Sequence, residues 1–462
     1  MVRPLSLLSL LLLLTGCGVT PQTTPPPVDL LEPASGALTG YYRVLIELTD
    51  EGLTPNEVLG VRVGGVSALD LVTTPDNRLS ILVQGAPEPG AANIDLVTAD
   101  ESIRLPQPFT YSPPVDPSFQ RVVAFGASLT QGVQDGTPTH QGVMGSPALA
   151  LARAMGAWMP QPVLVEGLFP TLGLDTVGPA PDCDSANVPD FIRGALTDVL
   201  SRLADPDEGF VYWVGRSDPD ISVRNLAAGN FMVDDMLLGP EVDEIVQNFL
   251  GPLSIDPYAD FAGGSRWTML EAVERLDPTV IVSFDLMGND VLNKTPIEVM
   301  RANIPLIVDR LAATGAQVFL ADMPDPGILK GSLGDQPLGD EEQDLADLCN
   351  EALRDAVAPY DNVHVVPLSE RAEELATDGV VAGGQALTID MLGGILSFDG
   401  LHFSDSGYAL IADLFIDEIN ATLGTSIPNL NLELVVGGDI HSPSAVREAG
   451  RDPLACQTNQ LP

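Results

Sequence analysis

Strand and helix patterns alternate along residues 118–428, and this alternation restricts the possible folds more than any other feature of the chain. Short apolar runs typical of buried strands are separated by amphipathic segments that predict helices. The pattern predicts an α/β domain whose parallel sheet is covered by helices on both faces. Ligands of such sheets bind beyond the carboxyl ends of the strands. The candidate strands are RVVAF at 121–125, ISVRNLA at 221–227, TVIVSF at 279–284, AQVFLA at 316–321 and NVHVVP at 362–367.

The preceding segment, 29–114, has a different pattern. Alternating runs such as YRVLIEL and RLSILVQ are bounded by Gly, Pro, Asn or Asp, without helical periodicity, and predict a small all-β sandwich. The opening PASGALTG, the internal pair Gly64-Gly65 and the closing FTYSPP resemble an IPT/TIG immunoglobulin-like domain. This resemblance implies that Phe109 and Tyr111 pack the last strand. It also implies a spacer or a binding module without chemistry of its own.

The N-terminus has the pattern of a secretion signal. Arg3 precedes an apolar run of about ten residues, too short to cross a bilayer core of about 30 Å as a helix, so residues 1–17 are predicted to be a signal peptide. Its last residues, LTGC, resemble the bacterial lipobox, which implies lipidation of Cys17; an ordinary signal peptide with a chance cysteine is the alternative. The proline-rich residues 18–28 predict an extended tether. We therefore expect a lipid-anchored protein of the bacterial cell envelope, facing the periplasm or the exterior, and in the outer membrane if the cell is Gram-negative.

Acidic residues dominate the charge of the chain. Asp and Glu number 64 against 21 Lys and Arg, which gives a formal net charge of -43. Such a surface repels polyanions, so a nucleic-acid partner is excluded, and attachment to an anionic membrane through charge is disfavoured. The acidity indicates either adaptation to salt or an acidic proteome without salt dependence.

Three cysteines follow Cys17. Cys349 lies in the helical pattern DEEQDLADLCNEALRDAV and is predicted to be a buried apolar residue. Cys183 and Cys456 lie in loop-like sequence and remain as a candidate disulfide pair in an oxidising compartment. No spacing of Cys and His typical of a metal site occurs, and we expect neither a metal nor a cofactor.

Short motifs with candidate site residues follow the first three predicted strands. Ser128 lies in FGASLTQG, Gly229 in VRNLAAGN and Asn289 in MGND. Asp399 and His402 lie in DGLHFSDSGY, before the last helical pattern, in a chain with only four histidines. Each motif alone also fits a helix cap or a turn, and an isolated Asp/His pair also fits a solvated loop.

Taken together and in this order, the four motifs resemble the SGNH/GDSL hydrolase family. The resemblance implies a flavodoxin-like three-layer fold with a catalytic triad of Ser128, Asp399 and His402. It also implies an oxyanion hole formed by the backbone N–H groups of Ser128 and Gly229 and the side-chain amide of Asn289.

Two points of the resemblance leave alternatives open. Gly173 is a second candidate for the role given to Gly229, because about 100 residues separate Ser128 from Gly229. The usual Gly-Asp-Ser of the family is Gly126-Ala127-Ser128 here, which puts the rigidity of this turn in question more than the chemistry.

The residue types in these motifs are those that ester cleavage requires. A serine hydroxyl becomes an effective nucleophile when a base such as His402 takes its proton, and Asp399 would orient and stabilise that base. We predict a membrane-anchored serine esterase or lipase that acts through an acyl-enzyme, without metal or cofactor, on a small-molecule, lipid or glycan ester. The alternatives are a carbohydrate deacetylase or acyltransferase on the same triad, and a non-catalytic adhesion or scaffold lipoprotein.

The remaining polar residues receive structural roles or none. Asp290 is predicted to hold the Asn289 loop through local hydrogen bonds. Asp285 and the histidines other than His402, among them His441, are predicted to be solvated or packed. The C-terminal tail, 429–462, has no predicted role.

Overall fold

The chain is described by a computed structural model. The described residues are 28–48, 53–136, 138–163, 223–227, 229, 231–238, 268–328, 339–390 and 392–450. The predictions for Cys17, Gly173, Cys183 and Cys456 concern residues outside these ranges. Within these ranges, no helix has both the length and the apolar character needed to cross a membrane.

The first part of the chain folds into antiparallel and mixed sheets. Its alternating sequence places one face of each strand in a core that includes Val44, Ile81 and Leu96, all fully buried. The strands are β1 Val28–Glu32, β2 Ser35–Ala37, β3 Gly40–Leu48, β4 Gly60–Val63, β5 Val66–Ser67, β6 Leu69–Thr73, β7 Leu79–Gln84, β8 Gly90–Ala92, β9 Ile94–Val97, β10 Ser102–Arg104 and β11 Phe109–Ser112. They form sheets with the strand orders β1-β3-β7-β6, β10-β9-β4-β5 and β2-β11-β8.

The two aromatic residues of the last strand, β11, are buried as predicted. The rings of Phe109 and Tyr111 meet edge to face with centroids 5.0 Å apart. The Tyr111 hydroxyl donates to the backbone oxygen of Gln84 at 2.6 Å, so the polar end of this buried ring is satisfied. Burial raises the pKa of Tyr111.

The second part of the chain is built on a parallel sheet of the order β12-β13-β14-β15. These strands are β12 Val122–Ala124, β13 Val280–Ser283, β14 Gln317–Ala321 and β15 Val363–Val366. They confirm four of the five predicted strands. All residues of β12 and β13 are buried, as expected of strands covered on both faces.

The predicted strand 221–227 is only partly realised. Among its described residues, 223–227, a single parallel bridge joins Asn225 to Ala124 of β12. The backbone N–H of Leu226 donates to the oxygen of Ala124 at 2.8 Å. This segment therefore lies beside β12, on the side opposite β13. After β12, the chain first lies on one side of this strand, at Asn225, and then on the other side, at β13. Such a switch point is where open α/β sheets bind ligands.

Helices cover both faces of this sheet, which confirms the predicted three-layer α/β class. The helices are α1 Ser128–Gln131, α2 His140–Gly145, α3 Pro147–Met155, α4 Val233–Leu238, α5 Met269–Arg275, α6 Gly288–Leu292, α7 Ile297–Ala313, α8 Asp340–Val357, α9 Leu368–Asp378, α10 Asp405–Leu423, α11 Leu432–Gly438 and α12 Pro443–Glu448. Alternate strand residues point to opposite faces of the sheet. Val123 and Ile281 pack with α4, α5, α7 and α8, whereas Val122 and Val280 pack with α3, α9 and α10.

The β-rich part packs directly on the α/β part. The Tyr41 hydroxyl accepts from the backbone N–H of Gln161 at 2.7 Å, and the Arg153 guanidinium donates to the Tyr41 backbone oxygen at 2.9 Å. Tyr41 also belongs to an apolar cluster with Leu82 and Leu149. The two parts thus share a buried contact that contains both apolar and polar groups.

The C-terminal segment folds back on the α/β part. Asn431 and Ser442 cap α11 and α12. Val436 of α11 packs against the turn of the hairpin formed by β16 Val380–Ala382 and β17 Gln385–Leu387. The described part of the tail, up to residue 450, is therefore an integral part of the fold.

Candidate active site

The candidate nucleophile lies in a tight turn between β12 and α1. Gly126 has φ +143°, and a Cβ at this position would lie 2.5 Å from Asp285 Oδ1. Only glycine fits such a turn. Ser128 is the first residue of α1. Among the described residues, its hydroxyl makes no hydrogen bond within the protein, and its side chain is partly exposed.

The carboxylate of Asp285 braces this turn. Asp285 follows β13, and its Oδ1 accepts from the Ala127 N–H at 2.9 Å and from the Thr130 hydroxyl at 2.6 Å. Its Oδ2 accepts from the Leu129 N–H at 2.7 Å. Burial raises the pKa of Asp285, and the hydrogen bonds from Thr130, Ala127 and Leu129 oppose this shift.

Asp285 was predicted to be solvated or packed; it is buried, and its hydrogen bonds to the serine turn were not predicted. From the end of the neighbouring strand, this side chain holds three of the four residues 127–130, on both sides of Ser128. It supplies rigidity to a turn that lacks the usual aspartate at position 127. The sequence contained a signal, because an aspartate directly after an apolar strand lies at the sheet edge where the serine also lies.

The candidate base and its carboxylate form a direct pair. His402 Nδ1 lies 2.7 Å from Asp399 Oδ2, and both side chains are buried. Asp399 Oδ1 accepts from the backbone N–H groups of Leu401 and His402, each at 2.8 Å, and from the Ser397 hydroxyl at 3.0 Å. Burial opposes ionisation of Asp399, but the charge of His402 and these hydrogen bonds hold the pKa of Asp399 well below its usual range.

The segment after the serine helix joins the serine to this pair. The Val133 N–H donates to the Ser128 oxygen at 2.9 Å, and the Gly136 N–H donates to Asp399 Oδ2 at 2.7 Å. The Tyr408 hydroxyl also donates to the Val133 oxygen at 2.6 Å. Within the described ranges, no hydrogen bond joins the Ser128 hydroxyl to His402. Catalytic contacts are often long without substrate, so this is compatible with a triad.

The predicted oxyanion donors differ in what they bind in the structure. The Ser128 N–H makes no hydrogen bond to the described residues. One N–H of the Asn289 amide donates to the Phe231 oxygen at 3.0 Å, and the second N–H of this amide has no partner among the described residues. The Gly229 N–H donates to the Gln131 side chain at 3.0 Å, so its role as an oxyanion donor requires release of that contact.

Asp290 holds the neighbouring segment rather than only its own loop. Its Oδ2 accepts from the Val233 N–H, the first residue of α4, at 2.8 Å. Burial raises the pKa of Asp290 to about 6, although the hydrogen bonds from Val233 and Thr295 lower it. Asp290 thereby connects the segments that carry Gly229 and Asn289.

Several solved structures match the chain, and one of them is similar only over a short stretch. SGBP-B of the Bacteroides ovatus mixed-linkage glucan utilization locus, solved in complex with a mixed-linkage heptasaccharide, is 16% identical. The match covers 20% of this chain and 21% of that chain, with a TM-score of 0.14. It carries no argument about fold or function. No curated protein matches the chain significantly.

The comparison with protein families covers most of the α/β part. The model of the family described as GDSL-like Lipase/Acylhydrolase matches residues 122–415, which is more than half of the chain. The matched range includes the serine turn, the Asn289 loop and the Asp399–His402 pair. The chain therefore belongs to the GDSL-like lipase/acylhydrolase family.

Proposed function

We propose that the chain is a membrane-anchored serine esterase or lipase that hydrolyses carboxylic esters through an acyl-enzyme intermediate. The family implies an ester-hydrolysing enzyme in general. The observation that carries the finer proposal is the 2.7 Å contact between His402 Nδ1 and Asp399 Oδ2, on a loop hydrogen-bonded to the segment that follows Ser128.

In the first half of the reaction, Ser128 Oγ attacks the ester carbonyl carbon while its proton moves to His402 Nε2. Asp399 accepts the Nδ1 proton of His402 and stabilises the imidazolium that forms. The Ser128 N–H and the Asn289 amide donate to the oxyanion. The alcohol then leaves with the proton from His402 Nε2, and Ser128 carries the acyl group.

In the second half, water replaces the alcohol. His402 takes a proton from the water, which attacks the acyl carbonyl carbon. Collapse of this second tetrahedral intermediate breaks the bond to Ser128 Oγ, and the proton returns from His402 to the serine. The products are a carboxylic acid and regenerated enzyme. No metal or cofactor takes part in this scheme.

Membrane attachment through Cys17 belongs to the same proposal. The lipobox-like LTGC and the proline-rich residues 18–28 support it. A Cys17→Ser variant expressed in a Gram-negative host should leave the membrane fraction, whereas the unchanged chain should stay there. Equal distribution of both proteins would contradict the anchor.

The activity is tested by hydrolysis of p-nitrophenyl acetate, butyrate and palmitate by the full chain and its Ser128→Ala variant. We expect hydrolysis by the former and background rates from the latter. Activity that survives the substitution would contradict the role of Ser128. Transfer of the acyl group to an added alcohol in preference to water would favour the acyltransferase alternative, and activity on acetylated glycans alone would favour the deacetylase.

A further inference from the structure

His441, in the C-terminal segment, is buried between two carboxylates. Its Nε2 lies 3.0 Å from both carboxylate oxygens of Asp135, and its Nδ1 lies 3.1 Å from Asp439 Oδ1. Both ring nitrogens thus face carboxylate oxygens, and the form of an imidazole that donates from both nitrogens is the imidazolium. Burial lowers the pKa of His441, but the hydrogen bonds and charges of Asp135 and Asp439 raise it to about 10.

Asp135 joins this imidazolium to the loop of the candidate triad. Its Oδ1 accepts from the Phe398 N–H at 2.8 Å, and its own N–H donates to the Ser397 hydroxyl at 3.2 Å. Ser397 in turn donates to Asp399 Oδ1. The His441 ring also packs on the Phe398 ring, with centroids 4.4 Å apart. The imidazolium is therefore connected to the triad carboxylate through Asp135 and Ser397.

Asp439 joins the imidazolium to the other side of the same loop. Its Oδ2 accepts from the backbone N–H and the hydroxyl of Ser406, at 2.9 and 2.6 Å. Ser406 lies in the first turn of α10, four residues after His402. The two carboxylates thus hold the chain on both sides of the candidate base.

The charge of His441 offsets repulsion among buried acids. Asp399 raises the pKa of Asp135, and Asp439 raises that of Asp405, although burial is the larger cause in both cases. His441 is the imidazolium common to Asp135 and Asp439, and its charge also favours ionised Asp405. Its loss would remove a positive charge that Asp135, Asp405 and Asp439 share close to the triad.

We propose that Asp135, His441 and Asp439 form a clamp that positions the Asp399–His402 loop against the serine segment. The inference rests on the proposed function and names the residues outside the triad that fix its geometry. His441 and Asp439 lie beyond the residues matched by the family model, 122–415. The C-terminal segment is therefore part of the catalytic unit of this chain, through positioning residues that touch no substrate.

The test compares His441→Gln with Val446→Ala in the full chain. Val446 is fully buried in α12, outside the clamp, so its truncation loosens the same tail without removing the imidazolium. We expect His441→Gln to lower kcat on p-nitrophenyl butyrate by about 10²-fold with KM within about threefold, because small misplacement of catalytic groups has effects of this size. Val446→Ala should keep kcat within about threefold of the unchanged chain, although both variants should lower Tm by similar amounts.

A second readout separates positioning from stability alone. Loss of the buried positive charge should move the acid limb of the kcat/KM pH profile to higher pH in His441→Gln, and Val446→Ala should leave it in place. If His441→Gln does not fold, Asp439→Asn keeps the imidazole and one carboxylate and should lower kcat by a smaller factor. Because this substitution removes a negative charge, it should move the acid limb to lower pH. A kcat and an acid limb equal to those of Val446→Ala would overturn the clamp.

The outcomes also separate the clamp from the proposed function. Activity in the unchanged chain that is lost in Ser128→Ala supports the function independently of His441. If that activity is present and both tail variants behave alike, the clamp alone is wrong. If the unchanged chain has no activity on any ester, the function and the clamp fall together.

Discussion

Replacement of Asp285 by Asn tests whether the serine turn is braced from the neighbouring strand. The asparagine oxygen can still accept from the Ala127 N–H and the Thr130 hydroxyl, now at 2.9 and 2.6 Å from the carboxylate. Its NH2 group would face the Leu129 N–H, which donates a hydrogen bond of 2.7 Å to the native carboxylate. The substitution thus removes the charge from the retained bonds and places two donors opposite each other.

The expected magnitude follows from these contacts. A hydrogen bond to a charged group contributes about 1.5–3 kcal/mol, and an unsatisfied buried donor costs about 1–3 kcal/mol. We expect Asp285→Asn to lower the free energy of unfolding by about 2–4 kcal/mol. Because the lost bond holds the residue next to Ser128, kcat should fall by about 10²-fold.

Asp322→Asn is the matched control. Asp322 is a buried carboxylate that follows the next strand, β14, and it accepts from the Ser369 N–H at 2.7 Å and hydroxyl at 2.8 Å. Its hydrogen bonds hold α9 and reach Arg354 of α8 instead of the serine turn. We expect a comparable loss of Tm with kcat on p-nitrophenyl butyrate unchanged within about threefold. If the two variants lose kcat equally, or if Asp285→Asn keeps full activity, the bracing role is wrong.

Three further predictions concern other parts of the chain. Asn289→Ala removes an oxyanion donor and should lower kcat by about 10² to 10³-fold, with circular dichroism unchanged; a normal kcat would exclude this role. Because the pKa of His441 is raised to about 10 in the fold, its stabilisation is complete below the unfolded value of about 6.5 and is lost as pH rises toward 10. This loss amounts to at most about 5 kcal/mol, so the unchanged chain should lose Tm over that range more steeply than His441→Gln, and parallel curves would contradict the imidazolium. Tyr41→Phe leaves the Gln161 N–H without its acceptor and should lower the free energy of unfolding by about 1–3 kcal/mol, measured by urea unfolding, with kcat unaffected.

The sheet and its helices were predictable because both have strong local signals. Apolar runs such as TVIVSF can be buried on both faces only in a covered sheet, and the structure has β13 within that run. The helical pattern around Cys349 coincides with α8, and the cysteine is buried as predicted. Burial also raises the pKa of Cys349 to about 12, in keeping with an unreactive thiol.

The second predicted strand shows where local signals fail. The run ISVRNLA alternates like a strand, but among its described residues only Asn225 forms a bridge. The Asn225 side chain donates to the Thr130 oxygen at 3.1 Å and to Gln161 Oε1 at 3.0 Å. Polar contacts from distant parts of the chain thus hold this segment, and a periodicity argument cannot include them.

The candidate site was predictable only where its residues are close in sequence. The Asp399–His402 pair needs three residues of spacing, so the sequence indicates it directly. The contact of His441 with Asp135 joins residues 306 positions apart and depends on how the tail folds back. No local pattern around His441 distinguishes it from a solvated histidine. Such tertiary electrostatic contacts are decided by the packing of whole elements.

The central claim is that Ser128, His402 and Asp399 act as one nucleophilic unit. The most direct measurement is the rate at which a fluorophosphonate probe labels the full chain, with the labelled peptide identified by mass spectrometry. We predict a single label on Ser128, a rate about 10³-fold or more lower in His402→Gln, and a smaller decrease in Asp399→Asn. Labelling at another residue, or a rate that does not change in His402→Gln, would contradict the account.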